Sequence, residues 1–554
     1  MANNEGGSGC PAELAMFCSR RHWAIYWLLI VLALTPVAWR TSHVINHGVA
    51  GDSPMFSAND RSRWCQVASL VEHGEWEIDR VINLRGEVQW DTIDKVRHLG
   101  RDGQFHFYSS KPPLLSTIIA GEYLLLKYVT GWELTREPLP VVRTLLTINH
   151  VICLAILMAL LASFLEPMFV SDWTRYFVMA AAGWGTFLTT FAVTLNNHLP
   201  AATTAMATIW LADLIVRQPG KNVWSRCFWL GLWAATTVAF ELPAAALFGI
   251  VALVVSIRAW RGLATFLPAA ALVGAVIVGL NFWAHNTWRP AYSFRNDGEV
   301  IATFSGDYSA ELNSPQIPGV FRNAIEGQMP NTFLPEKNLD RMKVEPGTWM
   351  GDSPNIRWVV VDSDGNGLFA IRNATDDKWT LHRWGNWYDH PGSYWNGTED
   401  RRSKVDRGEP DPMKYAFHFF VGHHGVLLLT PLWLLAFAGM FPLATSRVLD
   451  RRWLGMAGLA ITFVVIAFYL LMPEHNRNYG GWTSGPRWLF WLIPLWLICM
   501  VPVVQMLARW RWGQAICLVF LAASVLSGMY SLDNPWAHPW LYQLWHWIDP
   551  SFAA

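Results

Sequence analysis

Two stretches of the first polar segment carry residue types that could do chemistry together. Asp60-Arg61-Ser62-Arg63-Trp64 sets a carboxylate beside two guanidiniums, and Ser110-Lys111-Pro112-Pro113-Leu114 sets a lysine before two prolines. A carboxylate can accept a proton from a hydroxyl, and an ammonium on a backbone fixed by proline can hold phosphate as a compact point charge. A third stretch, 479–494, brings Arg487 after Gly480-Gly481 and Gly485-Pro486. A planar guanidinium can grip two phosphate oxygens, and the glycines let a ligand approach the backbone. Tyr479 and Trp482 give that loop an aromatic roof. Each residue also has a quieter reading by type alone. Asp60 can pair with Arg61 or Arg63, Lys111 can be an interfacial lysine reaching for water, and Arg487 an ordinary interfacial arginine.

Further candidates stand at the ends of apolar runs. Asn196, Asn197 and His198 end one run, Glu241 lies between two others, and His423-His424 precede another. His198 suits phosphate or sugar hydroxyls, or a helix cap. Glu241 is a carboxylate at a bilayer edge, a functional hypothesis by default. Adjacent histidines point apart on a helix or a strand, which argues against a two-histidine metal site at His423 and His424. Asp52 is the fallback carboxylate. Asp91, Asp94, Arg97 and His98 lie at helix spacing and read as a solvated face.

The elements that must position these residues are membrane helices. Of the 554 residues, 52% are apolar and only 15% charged, against about 25% charged in soluble domains. Acidic and basic residues balance at 42 each, which argues against a nucleic-acid or polyanion binder. The 34 tryptophans suit interfacial belts, and the seven cysteines show no metal or disulfide spacing. Apolar runs predict about eleven spans near 22–38, 142–164, 176–194, 199–216, 226–241, 243–257, 263–284, 425–444, 454–472, 487–507 and 514–530. A twelfth run, 114–129, contains Glu122 and Lys127. If it stays juxtamembrane, thirteen basic residues, from Arg20 and Arg21 to Arg509 and Arg511, share one side. The positive-inside rule makes that side cytoplasmic, with the N-terminus inside and the C-terminus outside.

The expected fold is therefore an all-α polytopic membrane protein with a small β-containing outer insert. An N-terminal membrane module, 1–284, carries an outer loop at 39–113; an outer insert fills 285–424; C-terminal helices fill 425–554. Within the insert, 345–400 read as β-rich. The strands 356–362 and 368–373 flank a Ser363-Asp364-Gly365-Asn366-Gly367 turn, and 378–384 makes another strand. Asp362, Asp364 and Asn366 match the opening of a calcium loop, but its twelfth position would be Asn373, so a tight turn is the preferred reading. The run 398–411 reads as a loop.

The order of apolar span, D-x-x-R-aromatic, Glu72-His73-Gly74-Glu75-Trp76 and K-P-P-L resembles the first outer loop of the C-type, polyprenyl-phosphate-dependent glycosyltransferases. The protein O-mannosyltransferases and the aminoarabinose transferases of lipid A are the best-known members. The resemblance covers the N-terminal third well and the rest by architecture. It implies Asp60 as catalytic base and Lys111 as phosphate ligand. Arg487, Arg63, Asn197, His198, Glu241, His423, His424, Tyr479 and Trp482 are further substrate-binding candidates. The expected partners are a polyprenyl-phosphate sugar donor, a hydroxyl acceptor and the bilayer, in a bacterial inner membrane with an extracytoplasmic site. The loop at Asn196 lacks the second acidic motif of the oligosaccharyltransferase branch, so the motifs allow a divalent cation without requiring one. A ligase or polymerase of lipid-diphosphate-linked glycans, and a transporter or lipid-binding scaffold, are the rival readings.

Overall fold

The computed structural model describes residues 12–47, 52–86, 88–168, 170–329, 334–349, 356–375, 377–395, 408–447 and 449–548. It is mostly helical. Seven helices are long and apolar enough to cross a membrane: Ser19–His43, Pro138–Leu165, Asp172–Val193, His198–Arg217, Trp260–His285, Arg451–Leu470 and Arg511–Tyr530. The pair Arg487–Cys499 and Val501–Leu507, bent by 43°, makes an eighth if counted as one span. Three of the eleven expected segments fall short of that standard. Leu242–Arg258 and Leu432–Ala444 are short apolar helices, and Val223–Phe240 carries Arg226 and three tryptophans, Trp224, Trp229 and Trp233. Broad apolar faces stay exposed, with Trp27, Leu28 and Val31 on one helix, Leu267 and Leu272 on another, and Phe463 and Val464 on a third. Contiguous exposed apolar surface on this scale is what a bilayer covers.

Chain direction alternates along the helices, so their connections gather at two ends. His198 opens one helix and Arg217 closes it about 30 Å away, at 1.5 Å per residue. At that second end, His22 meets Glu166 and Asp172, and Arg175 meets Glu166. The candidate residues lie at the first end.

The 114–129 run forms the helix Pro113–Thr130, opened by Pro112 and Pro113 and stopped by Gly131 at φ 76°. One face packs Leu115, Ile119 and Tyr123 into a core shared with Trp64, Val67 and Val81 of the first loop. Tyr123 Oη donates to Glu72 at 2.6 Å and accepts from Leu134 N at 2.6 Å. The buried face of this helix is thereby tied to the first loop as far as Tyr123, while Leu125, Tyr128 and Val129 remain exposed.

Residues 95–109 depart from the expected helical face. Lys95–Leu99 and Phe105–Ser109 form an antiparallel hairpin with Lys95 opposite Ser109. Period-two alternation of Val96 and His98 and the Asp102-Gly103 turn outweigh the charge spacing that had suggested a helix.

The insert is a five-stranded antiparallel sheet in the spatial order Val300–Ser305, Lys378–Arg383, Gly367–Thr375, Arg357–Val361 and Lys343–Pro346. The expected hairpin is present. Its turn is closed by Asp362, whose carboxylate accepts from the backbone of Asp364 and Asn366 and from the Asn366 amide. The run 398–411 lies largely outside the described residues.

Candidate functional site

The hairpin register builds the site's central pair. Because Lys95 faces Ser109, the residues just outside the ladder, Asp94 and Lys111, are neighbours across it. Lys111 Nζ lies 2.8 Å from Asp94 Oδ2. Ser62 Oγ and Ser110 N both donate to the Asp94 carbonyl, at 2.6 and 3.2 Å, clamping that corner onto the helix Ala58–Ala68. Burial pushes the Lys111 ammonium down to about 8, although Asp94 opposes the shift. Burial also works to raise the Asp94 carboxyl, but Lys111 beside it carries it below the usual carboxylate range.

Asp94 and Lys111 line a cavity of about 420 Å³. The first loop contributes residues 56–59 and Ile93, the later loop contributes Asn478, Gly480, Gly481, Trp482, Arg487 and Trp488, and Trp536 follows the last span. The insert supplies Arg295, Tyr394 and Trp395. The ionisable lining is three cations, Lys111, Arg295 and Arg487, against one carboxylate, Asp94. The volume lies within the roughly 300–1,000 Å³ typical of small-molecule sites.

Arg487 is held from behind by two chains of hydrogen bonds. Its Nε and Nη2 donate to the Gly480 carbonyl at 3.0 and 2.9 Å, and its guanidinium sits 4.9 Å from the Trp536 ring. Gly480 has φ 97°, and a Cβ there would meet Arg487 Nε at 3.1 Å, so both backbone shape and space ask for glycine. Arg487 Nη1 also donates to His198 Nε2 at 3.3 Å. An arginine can only donate, so that nitrogen accepts, and His198 Nδ1 carries the proton it gives to Glu241 at 2.5 Å. Asn197 continues the chain, donating to Glu241 at 2.8 Å and accepting from Arg63 at 2.8 Å. Arg63 closes on Asn59 at the cavity edge. Burial pushes Arg63 down to about 10.

Asp60 begins the second chain. It is fully buried and receives five hydrogen bonds: from Ser57 N, Ser57 Oγ and Arg61 N on Oδ1, and from Phe56 N and Thr194 Oγ1 on Oδ2. With Ser57 it forms a reciprocal capping box at the start of Ala58–Ala68. Thr194 Oγ1 in turn accepts from Trp536 Nε1, at 2.9 Å, beneath Arg487. A carboxylate offers about four lone-pair sites, and here they are filled. Asp60 is absent from the cavity lining, and neither Arg61 nor Arg63 is its ion-pair partner among the described residues.

Of the eleven sequence candidates, Lys111, Arg487 and Trp482 line the cavity. Arg63, Asn197, His198 and Glu241 stand behind Arg487 as its support. His423, His424 and Tyr479 are displaced into an adjoining aromatic cluster. Tyr479 stacks on His424 at 5.0 Å, and His418 stacks on His423 at 4.0 Å. The two adjacent imidazoles do not point apart, because the chain turns between Gly422 and Gly425 and brings their Nδ1 atoms together. Burial pushes His424 down to about 3. Asp52 pairs with His47 at 2.8 Å and lines a separate, wider cleft of about 850 Å³ with Glu72, Arg85 and Glu137. Among the described residues, no group of three or more His, Cys, Asp and Glu is arranged to hold a metal ion.

Sequence reasoning missed Asp94, Arg295, Trp395 and Trp536. The Asp102-Gly103 turn was the available signal for Asp94. Nothing local marks Arg295 or Trp395, which reach the cavity only through the fold of the insert. Comparison of the chain with protein-family models, curated proteins and solved structures gives no match.

Proposed function

We propose that the protein is an integral membrane glycosyltransferase that moves a sugar from a polyprenyl-phosphate donor to an acceptor hydroxyl. The observation that carries this reading is the cavity itself, in which a lysine and an arginine from distant loops face one space beside a single carboxylate. Lys111 and Arg487 together suit a departing polyprenyl phosphate, a monoester carrying about 1.5 to 2 negative charges near neutral pH. The exposed apolar helix faces suit a prenyl chain. The likeness of the first loop to the polyprenyl-phosphate-dependent transferases points the same way.

In this reading the acceptor oxygen attacks the anomeric carbon, the carbon–phosphate oxygen bond breaks, and the phosphate leaves with the bonding pair. The configuration inverts. Lys111 and Arg487 take the developing charge. The acceptor's proton passes to Asp94, which is freed as the phosphate draws Lys111 away from it. Asp60, with its acceptor sites filled, positions Thr194 and Trp536 rather than taking the proton. The basic residues Arg20, Arg21, Arg217, Arg258, Arg451 and Arg511 flank helix ends away from the cavity, which by the positive-inside rule supports a site on the non-cytoplasmic side. A transporter would set its ionisable groups at mid-depth, whereas this network stands at one end of the helices.

The test is mass spectrometry of lipids co-purified with the protein, followed by single-turnover transfer from the lipid found. A polyprenyl phosphate or its glycosyl ester is the expected lipid. Co-purification of polyprenyl diphosphates alone would favour the ligase or polymerase reading, and absence of any polyprenyl lipid would contradict the proposal.

A further inference from the structure

The insert is more than an appendage to the helices. Arg295 precedes its first strand, and Tyr394 and Trp395 follow its last, yet all three line the same cavity as Lys111 and Arg487. The Arg295 guanidinium is packed over two rings, 4.2 Å from that of Tyr388 and 5.2 Å from that of Trp395. Tyr394 meets Trp395 edge-on at 5.1 Å. The opposite side of the cavity has Trp482, Trp488 and the Arg487 guanidinium. The insert wall therefore combines flat aromatic surface with fixed N–H donors, the combination that recognises a ring bearing hydroxyls: apolar C–H faces stack, and oxygens accept.

Two of those donors lack partners. Arg295 Nε–H and Trp395 Nε1–H are buried with no hydrogen-bond acceptor among the described residues. Buried donors are nearly always satisfied, and the common explanation for an exception is a group not present in the structure. The phosphate needs no help from this wall, since Lys111 and Arg487 stand on the helical side.

We infer that the insert reads the sugar: Tyr394 offers its ring face to the donor's pyranose, and Arg295 Nε–H and Trp395 Nε1–H donate to its hydroxyl oxygens. This rests on the polyprenyl-phosphate donor reading and adds to it a division of labour, with helices holding phosphate and the insert selecting the sugar.

The experiment is a binding titration of the full chain in detergent or nanodiscs with two probes, undecaprenyl phosphate and its hexosyl esters (glucosyl, galactosyl and mannosyl). Wild type is compared with Arg295→Gln, Arg295→Lys and Trp395→Phe; the last keeps an aromatic face while removing the indole N–H and its five-membered ring. Loss of one neutral hydrogen bond corresponds to about a threefold to tenfold weakening. Trp395→Phe should weaken the best hexosyl ester by that factor and Arg295→Gln, which loses a charged donor, by about tenfold or more; both should leave undecaprenyl phosphate within about twofold. Arg295→Lys separates charge from geometry and should resemble Arg295→Gln, because an ammonium lacks the Nε–H placed by the two rings. Equal weakening of both probes would make Arg295 a phosphate ligand and overturn the inference. So would unchanged binding of every hexosyl ester. The donor reading survives either result, provided wild type binds undecaprenyl phosphate. Wild type binding neither probe would remove the donor reading and this inference together.

Discussion

Two buried charge clusters in this molecule use the same residue types to different ends. In the insert, Arg357 is wholly enclosed, 2.7 Å from Asp297 and 2.8 Å from Asp389, and Asp297 also meets Arg372 at 2.7 Å. Two guanidiniums and two carboxylates close on one another. At the helix end, Lys111 and Asp94 pair at 2.8 Å but each keeps about 15% of its side chain exposed to a cavity, and Arg487 faces the same space. In the first cluster the two signs balance within the protein. The second has a cation surplus facing a cavity. Burial and ion pairing alone do not mark a functional site; an incomplete charge set beside space does.

Breaking each cluster should therefore have different consequences. The largest effect is expected at Asp94. Asp94→Asn keeps the shape and removes the proton acceptor, so single-turnover transfer should fall by about 10²–10⁴-fold, typical of general-base loss, with little change in thermal midpoint. Asp60→Asn should do the reverse. Its NH2 group replaces one of two oxygens that both face donors, so in either orientation the capping box or Thr194 should shift and stability fall with activity. A cap alone is worth about 0.5–2 kcal/mol. Stable, inactive Asp60→Asn beside an active Asp94→Asn would exchange the two roles.

In the closed cluster, Asp297→Ala leaves Arg357 and Arg372 short of charge. Uncompensated buried charge costs about 3–5 kcal/mol. Limited proteolysis should find the insert opened, and binding of bare polyprenyl phosphate should be nearly retained. Loss of that binding with an intact insert would erase the distinction between the clusters.

The contrast also explains what could be read in advance. Helices and apolar runs are local properties of sequence, and Lys111 and Arg487 carry local signatures, proline pairs and glycine pairs. The turn at Asp362–Gly367 was equally visible. Asp94 was misread because alternating charges fit a helix as well as a hairpin, and only cross-strand register brings it to Lys111. Asp60 carried the strongest local motif, yet the donors around it include Thr194, 134 residues away, which meets it only in three dimensions. Arg295 and Trp395 depend on how a whole domain docks.

Two smaller effects sharpen the open cluster's description. With the Lys111 ammonium pushed down from 10.5 to about 8, its charge is present below that pH and lost above it. Binding of polyprenyl phosphate should weaken as pH rises through about 8, by at most about tenfold per unit. Lys111→Arg should abolish that inflection, since a guanidinium stays protonated there. An inflection persisting in Lys111→Arg would assign the titration elsewhere. Finally, Thr130→Cys, at the exposed end of Pro113–Thr130, should react with a membrane-impermeant thiol reagent from the same side as the cavity. Labelling only from the opposite side would require that helix to cross.

The most direct test of the account is whether Lys111 and Arg487 hold one phosphate. Polyprenyl phosphate should be titrated into wild type, Lys111→Ala, Arg487→Ala and the double variant. Charge-assisted hydrogen bonds are worth about 1.5–3 kcal/mol, so each single variant should bind at least about tenfold more weakly. Residues acting on one ligand group are not additive, and the double variant should lose less than the two single losses combined. Simple additivity, or unchanged binding in either single variant, would place the two cations at separate tasks and contradict the shared phosphate site.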